Sequence, residues 1–140
     1  RPGALLVGPD EEAAQWVQAA ARAHGFAAGV GRKRRHGDRD VTIELPPIDV
    51  AGRAVVLLDD VASTGHTLAV AARALLARGA AGVDVAVTHA LFVGDAVASL
   101  HAAGVRHVWS TDSVPHASNV VSVAPLIADA LRALAMSEDG

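Results

Sequence analysis

Apolar positions change period several times along the chain. Ala4–Val7 is a continuous apolar run that stops at Gly8-Pro9, the pattern of a buried strand. From Glu11 to His24 the period becomes helical. Trp16, Val17, Ala20 and Ala21 fall on or beside one face, Asp10 is placed to cap the start, and Gly25 closes the end. Phe26–Gly31 is a second short apolar segment, and Arg32–Asp40 reads as a polar, basic loop. Val41–Leu45 alternates as a strand does until Pro46-Pro47, and Ile48–Gly52 reads as a turn. Ala54–Leu58 is the clearest strand, five apolar residues followed by Asp59-Asp60. After Ser63-Thr64-Gly65-His66-Thr67 a helix is predicted to about Arg78, with Leu68, Ala72, Leu75 and Leu76 inward. Val83–Val87 and Val105–Trp109 read as strands around a short helix over Asp95–Ala103. Val120–Val123 is a last short strand. A closing helix over Pro125–Ala135 carries Leu126, Ile127, Ala130, Leu131 and Leu134, and Ser137–Gly140 is left as a tail.

Strands that alternate with helices and are nearly continuous in apolar residues predict an α/β fold. The expected form is three-layered, a mostly parallel sheet with helices on both faces. Such sheets bind ligands beyond the C-terminal ends of their strands. Here those ends carry Gly8-Pro9-Asp10, Asp59-Asp60, Thr88-His89 and Thr111-Asp112. A length of 140 residues suits one domain over 1–140. With 51% apolar and 3% aromatic residues, the core is built from Ala, Val and Leu, and the chain is too hydrophobic for disorder. A net charge of -3 gives no basic field for a nucleic-acid backbone. The absence of an eighteen-residue uncharged apolar run and of a signal-peptide pattern predicts no membrane partner and a cytoplasmic location. Zero cysteines exclude a disulfide framework and thiolate metal sites. The seven histidines contain no His-x-x-x-His pair, so no zinc pattern arises. Trp16 and Trp109 read as packing residues.

The chemistry concentrates after the central strand. A buried strand delivers Asp59 and Asp60 to its rim, and a hydroxyl-rich turn then opens a helix. Successive N–H groups and the helix dipole make such a turn an anion cradle. Ser63, Thr64 and Thr67 add hydroxyls, and Gly65 permits positive φ and close backbone approach. The carboxylates suit sugar hydroxyls or, through water, Mg²⁺. Phosphate at one end and a diol at the other fit a ribose 5-phosphate group. The segment is neither a Walker A loop nor a dinucleotide fingerprint.

Val56–Leu68 resembles the phosphoribosyl diphosphate motif of the type I phosphoribosyltransferase fold. The wider chain resembles the C-terminal half of the ribose-phosphate pyrophosphokinase family. Gly8-Pro9-Asp10 resembles that family's ribose-site segment, and Lys33-Arg34-Arg35 its Lys-x-Arg loop, continued by Gly37-Asp38-Arg39-Asp40-Val41. Thr88-His89-Ala90-Leu91-Phe92, Ser110-Thr111-Asp112-Ser113-Val114-Pro115 and Val121–Ala130 follow the family's order. Two departures stand out. His66 replaces a glycine of the phosphate loop, and Glu11, Glu12 and Ala13 replace small glycines after Pro-Asp.

The resemblance implies a transfer of a diphosphoryl group from ATP to ribose 5-phosphate. In that reading Asp59 and Asp60 hold the ribose hydroxyls, and Ser63, Thr64, Gly65 and Thr67 hold the 5-phosphate, with His66 as a further donor. Asp10 lies near the ribose and its Mg²⁺, Lys33 and Arg35 reach the transferred phosphoryls, and His89 lines the nucleotide or phosphate region. The metal arrives largely with the nucleotide. The resemblance also implies a partner, either a missing N-terminal half or further copies of the chain. The alternatives are a phosphoribosyltransferase with the same loop, or a synthetase-like subunit that binds without catalysis.

Overall fold

The computed structural model describes residues 2–38 and 40–138; Arg1, Arg39, Asp139 and Gly140 lie outside the described residues. In chain order the elements are β1 (Leu5–Gly8), a 3-10 turn (Glu11–Ala13), α1 (Ala14–His24), β2 (Ala27–Val30), β3 (Arg32–Arg35) and β4 (Val41–Glu44). They continue with β5 (Ala54–Ala62), α2 (His66–Ala77), β6 (Gly82–Ala90), α3 (Ala96–Ala102), β7 (Val105–Thr111), β8 (Asn119–Val121) and α4 (Ala124–Glu138). Six strands form one sheet in the order β2-β1-β5-β6-β7-β8, and every neighbouring pair is parallel. This is the α/β architecture that the apolar pattern predicts.

Strand alternation sorts the side chains between two faces. Val55 and Leu57 of β5, Val83 and Val85 of β6, and Val105 of β7 join Leu68, Ala72 and Leu75 of α2 and Leu100 of α3 in one buried core. Leu6 and Val56 point the other way and meet Val17 and Ala21 of α1. On that second face Leu58, Ala86 and Trp109 are only partly buried, and with Val121 they line an apolar groove of about 190 Å³. The leucines and isoleucine of α4 stay in solvent, from 54% exposed at Ile127 to 66% at Leu126.

Three local expectations need correction. Arg32–Arg35 is a strand, not a loop, and pairs antiparallel with β4. Its charged side chains hid a period of two: Lys33 and Arg35 lie opposite Ile43 and Val41 on one face, while Arg34 pairs with Glu44 on the other. The central strand runs through Asp59-Asp60 to Ala62, because β5 and β6 stay in register as far as Ala62 and Ala90. Backbone pairing carries the ladder past polar side chains. Trp16 is 44% exposed and so is not a core residue. Trp109 does pack, stacked on His107 at 5.6 Å. The apolar pattern also gave no sign that Asp84 is fully buried, where His107 Nδ1 donates to it at 2.8 Å and Arg106 lies 3.4 Å away.

Candidate active site at the strand ends

β5 ends at Ala62, and the chain turns through Ser63-Thr64-Gly65 into α2. Gly65 is the residue before the helix and has φ +73°, a conformation that glycine adopts without strain. Gly65, the capping residue, has no side chain to cap the helix, so the N–H groups of its first turn beyond that of His66 are available to an anion. They border a cavity of about 180 Å³ that also meets Asp10, Glu12, Lys33, Asp59 and the hydroxyls of Ser63, Thr64 and Thr67. Thr64 Oγ1 accepts the His66 backbone N–H at 3.3 Å and so shapes the turn.

The two neighbouring acids diverge. Successive strand residues face opposite sides, and Asp59 lines the cavity while Asp60 does not. Asp60 instead accepts the Val61 N–H at 2.8 Å, and Asp59 accepts the Asp60 N–H at 2.9 Å. Burial pushes the Asp59 carboxyl up to about 7. The Asp60 amide opposes that rise, and the carboxyls of Asp60 and Asp10 add to it. Asp10 is itself buried, and caps the 3-10 turn by accepting the Glu12 N–H at 3.1 Å.

The β3–β4 hairpin forms the other wall. Its root is tight: a Cβ on Gly31 would sit 2.7 Å from the Pro9 carbonyl oxygen and 2.9 Å from Ile43 Cγ2. This glycine lets the hairpin leave β2 directly over the Pro9-Asp10 loop. Ile43, Val41 and Leu45 pack into the α2 core, so Lys33 and Arg35, on the same face, are brought to the start of α2. Lys33 Nζ donates to Thr67 Oγ1 at 2.9 Å. A second cavity, about 430 Å³, lies between Lys33, Arg35, Asp38 and Val41 on the hairpin and Thr64, His66 and Thr67 on the turn. A third, about 270 Å³, lies between Lys33 and Arg35 and the carboxylates of Asp10, Glu11 and Glu12. The outward arginines make exposed ion pairs, Arg32 with Glu11 at 3.4 Å and Arg34 with Glu44 at 3.0 Å, of small energetic value.

The structure thus gathers Asp10, Lys33, Arg35, Asp59, Ser63, Thr64, Gly65, His66 and Thr67 around adjoining cavities. Asp60 and His89 line none of them. His89 Nδ1 lies 2.8 Å from Ser113 Oγ. Asp38 and the apolar wall of Val61, Ala62 and Leu68 were not foreseen as lining; nothing in their residue types marks them. The Lys33–Thr67 bond was hidden by its separation of 34 residues.

A glycine-led helix start behind an acidic strand of a parallel sheet, with a basic hairpin facing it, is the arrangement of an anion-binding α/β protein. The family described as phosphoribosyl synthetase-associated domain matches residues 39–139, and the chain belongs to it. The chain is 42% identical over 130 residues to ribose-phosphate pyrophosphokinase of Methanosarcina acetivorans, covering 93% of this chain and 46% of the relative. It is 39% identical to the enzyme of the same name from Methanopyrus kandleri, covering 93% and 45%. The crystal structure of phosphoribosylpyrophosphate synthetase from Mycobacterium smegmatis superposes with a TM-score of 0.76 at 29% identity, over 99% of this chain and 46% of that one. Orotate phosphoribosyltransferase from Aeropyrum pernix superposes with a TM-score of 0.59 at 25% identity, over 78% and 59%. The chain therefore spans just under half the length of the pyrophosphokinases it matches.

Proposed function

We propose that this chain is the ribose 5-phosphate-binding half of a ribose-phosphate diphosphokinase. The observation that carries the reading is the turn from Ser63 to Thr67, with glycine at the helix start and flanked by Asp59 and Lys33. The 5-phosphate sits on the N–H groups and hydroxyls of that turn, with His66 beside it, and Asp59 orients the ribose hydroxyls. Asp60, turned out of the cavity, is assigned a supporting role through the strand. The C1 hydroxyl oxygen attacks the β-phosphorus of ATP. A new O–P bond forms, the bond from the β-phosphorus to the α–β bridging oxygen breaks, AMP leaves, and the hydroxyl proton is released. Arg35 and Lys33 neutralise charge on the diphosphoryl group in flight, and fixed charge of this kind lowers such barriers.

Mg²⁺ fits this site as a shared ion. Among the described residues no group of three His, Cys, Asp or Glu side chains could hold a metal. Asp10 and Asp59 border one cavity, and crowding by neighbouring carboxyls contributes to the raised Asp59 value. One or two carboxylates with substrate phosphates are a usual Mg²⁺ ligand set. When bound, the ion would offset negative charge on the phosphates.

The same reading assigns the chain a partner. Relatives are about twice its length, and α4 and the groove at Leu58, Ala86, Trp109 and Val121 leave apolar surface uncovered. We place an N-terminal half, or further copies of the chain, on that surface, in the cytoplasm with the nucleotide. No helix among the described residues is long and apolar enough to cross a membrane.

Calorimetry with ribose 5-phosphate and with ribose tests the assignment. Ribose 5-phosphate is expected to bind at least about 30-fold more tightly, as several charge-assisted bonds to phosphate require. Equal affinity for the two sugars, or none for either, would overturn it.

A further inference from the structure

Lys33 is the only lysine in the 140 residues. Its strand partner Ile43 is 9% exposed, so the face that carries Lys33 is turned to α2 and not to water. Its ammonium reaches Thr67 Oγ1 at 2.9 Å. The hydrogen-bond inventory fixes the direction of that contact. An ammonium has donors only, whereas a hydroxyl has one proton and two lone pairs. Lys33 must donate, a lone pair of Thr67 is consumed, and the Thr67 proton is left to be donated elsewhere. Thr67 stands in the first turn of α2 and borders the phosphate-sized cavity.

We infer that Lys33 and Thr67 act on the 5-phosphate as one relay: Lys33 donates to Thr67 Oγ1, and Thr67 donates its proton to a phosphate oxygen in the cradle. This deepens the ribose 5-phosphate reading and rests on it. A charged donor polarises the hydroxyl it binds and strengthens the bond that hydroxyl makes next. Lys33 therefore holds the bound substrate before any phosphoryl transfer begins. The ammonium keeps two further donors. Lys33 also borders the larger cavity shared with Arg35 and His66, where a second polyanion would use them. Substitution of Lys33 should consequently weaken ribose 5-phosphate binding, beyond any loss in turnover. Roles confined to the transition state would leave binding unchanged.

A double-mutant cycle on the 140-residue chain separates these outcomes. Lys33→Met keeps the aliphatic stem, Thr67→Val keeps the shape, and Thr67→Ser keeps the hydroxyl while dropping the methyl group. Ribose 5-phosphate is titrated calorimetrically into each. The relay predicts about a tenfold loss for Lys33→Met, about the same for Thr67→Val, and no more than that for the double variant, a coupling of about 1.4 kcal/mol. Thr67→Ser should stay within about threefold of the parent, which shows that the bond and not the methyl packing is read. Nitrogen-15 lysine spectra add a direct signature, since the chain yields a single side-chain ammonium signal. Ribose 5-phosphate should shift that signal in the parent and leave it unmoved in Thr67→Val. Three results would overturn the relay: unchanged affinity in Lys33→Met, multiplicative losses in the double variant, or tighter binding once Lys33 is removed. The last would mean that the bond is a latch that ligand must break. If the parent chain itself fails to bind ribose 5-phosphate, the proposed function falls first. If it binds and the losses multiply, only the relay does.

Discussion

Helices α2 and α4 are alike in composition and opposite in fate. Both are rich in Ala and Leu. Leu68, Ala72 and Leu75 of α2 are buried at 2% exposure or less, while Leu131 and Leu134 of α4 are 61% and 62% exposed. α2 finds the β5–β6 face of its own sheet and packs there, with its start at the strand ends. α4 follows the edge strand β8 and finds no such face. The difference is that one apolar surface, behind the strand ends, is enclosed by the chain itself, while a second, on α4, stays uncovered. Burial of one leucine is worth about 1.5–3 kcal/mol, so several exposed ones are a strong drive to associate.

The largest expected effect breaks the closed side of the comparison. Leu75→Ala should destabilise the chain by about 2–5 kcal/mol in urea denaturation, since it empties a fully enclosed position. Gly65→Val comes next. At φ +73° a β-branched residue carries strain of about 1–3 kcal/mol, and its Cβ would meet Leu100 of α3 at 3.4 Å, so relief of the strain displaces the turn. Circular dichroism should still show a folded protein, while ribose 5-phosphate affinity falls by at least about 30-fold, as expected from loss of contacts to a charged group.

Asp59→Asn probes the acid at the cavity wall. The folded-state value of about 7 stands above the ordinary 3.8, so folding binds a proton between those limits. The stabilising contribution is complete below about pH 4 and is lost as pH rises through about 7. Asparagine has no such loss. The variant should match the parent at pH 4 and exceed it at pH 8 by on the order of 1 kcal/mol, a figure reduced for the partial exposure of the group. Parallel stability curves across that range would contradict the burial argument. The smallest effect belongs to the open side. Leu131→Ala should change the stability of the isolated chain by under about 0.5 kcal/mol, and should instead weaken self-association or capture of an N-terminal half in sedimentation.

The same comparison explains what was legible in the sequence. Apolar period located α2 and α4 equally well, because period reports a face and not its partner. The parallel sheet and the placement of Ser63–Thr67 at a strand end followed from alternation of strands and helices. The hairpin was misread because alternation there is between charged residues, Lys33 and Arg35 inward and Arg34 outward, and no hydropathy signal marks it. Asp59-Asp60 looked like an equivalent pair at a strand end. Continued pairing with β6 carries the strand past them and turns only Asp59 into the cavity. The Lys33–Thr67 bond needed the tertiary packing of Ile43 and Val41, which no local pattern encodes.

The most direct measurement is amide chemical-shift mapping of the isotopically labelled chain as ribose 5-phosphate is added. The account predicts large shifts at residues 63–67, with Lys33 and Asp59 next in size, and none along α4 or at Trp109. Shifts concentrated on the apolar groove at Leu58, Ala86 and Trp109, with the Ser63–Thr67 amides unmoved, would contradict it.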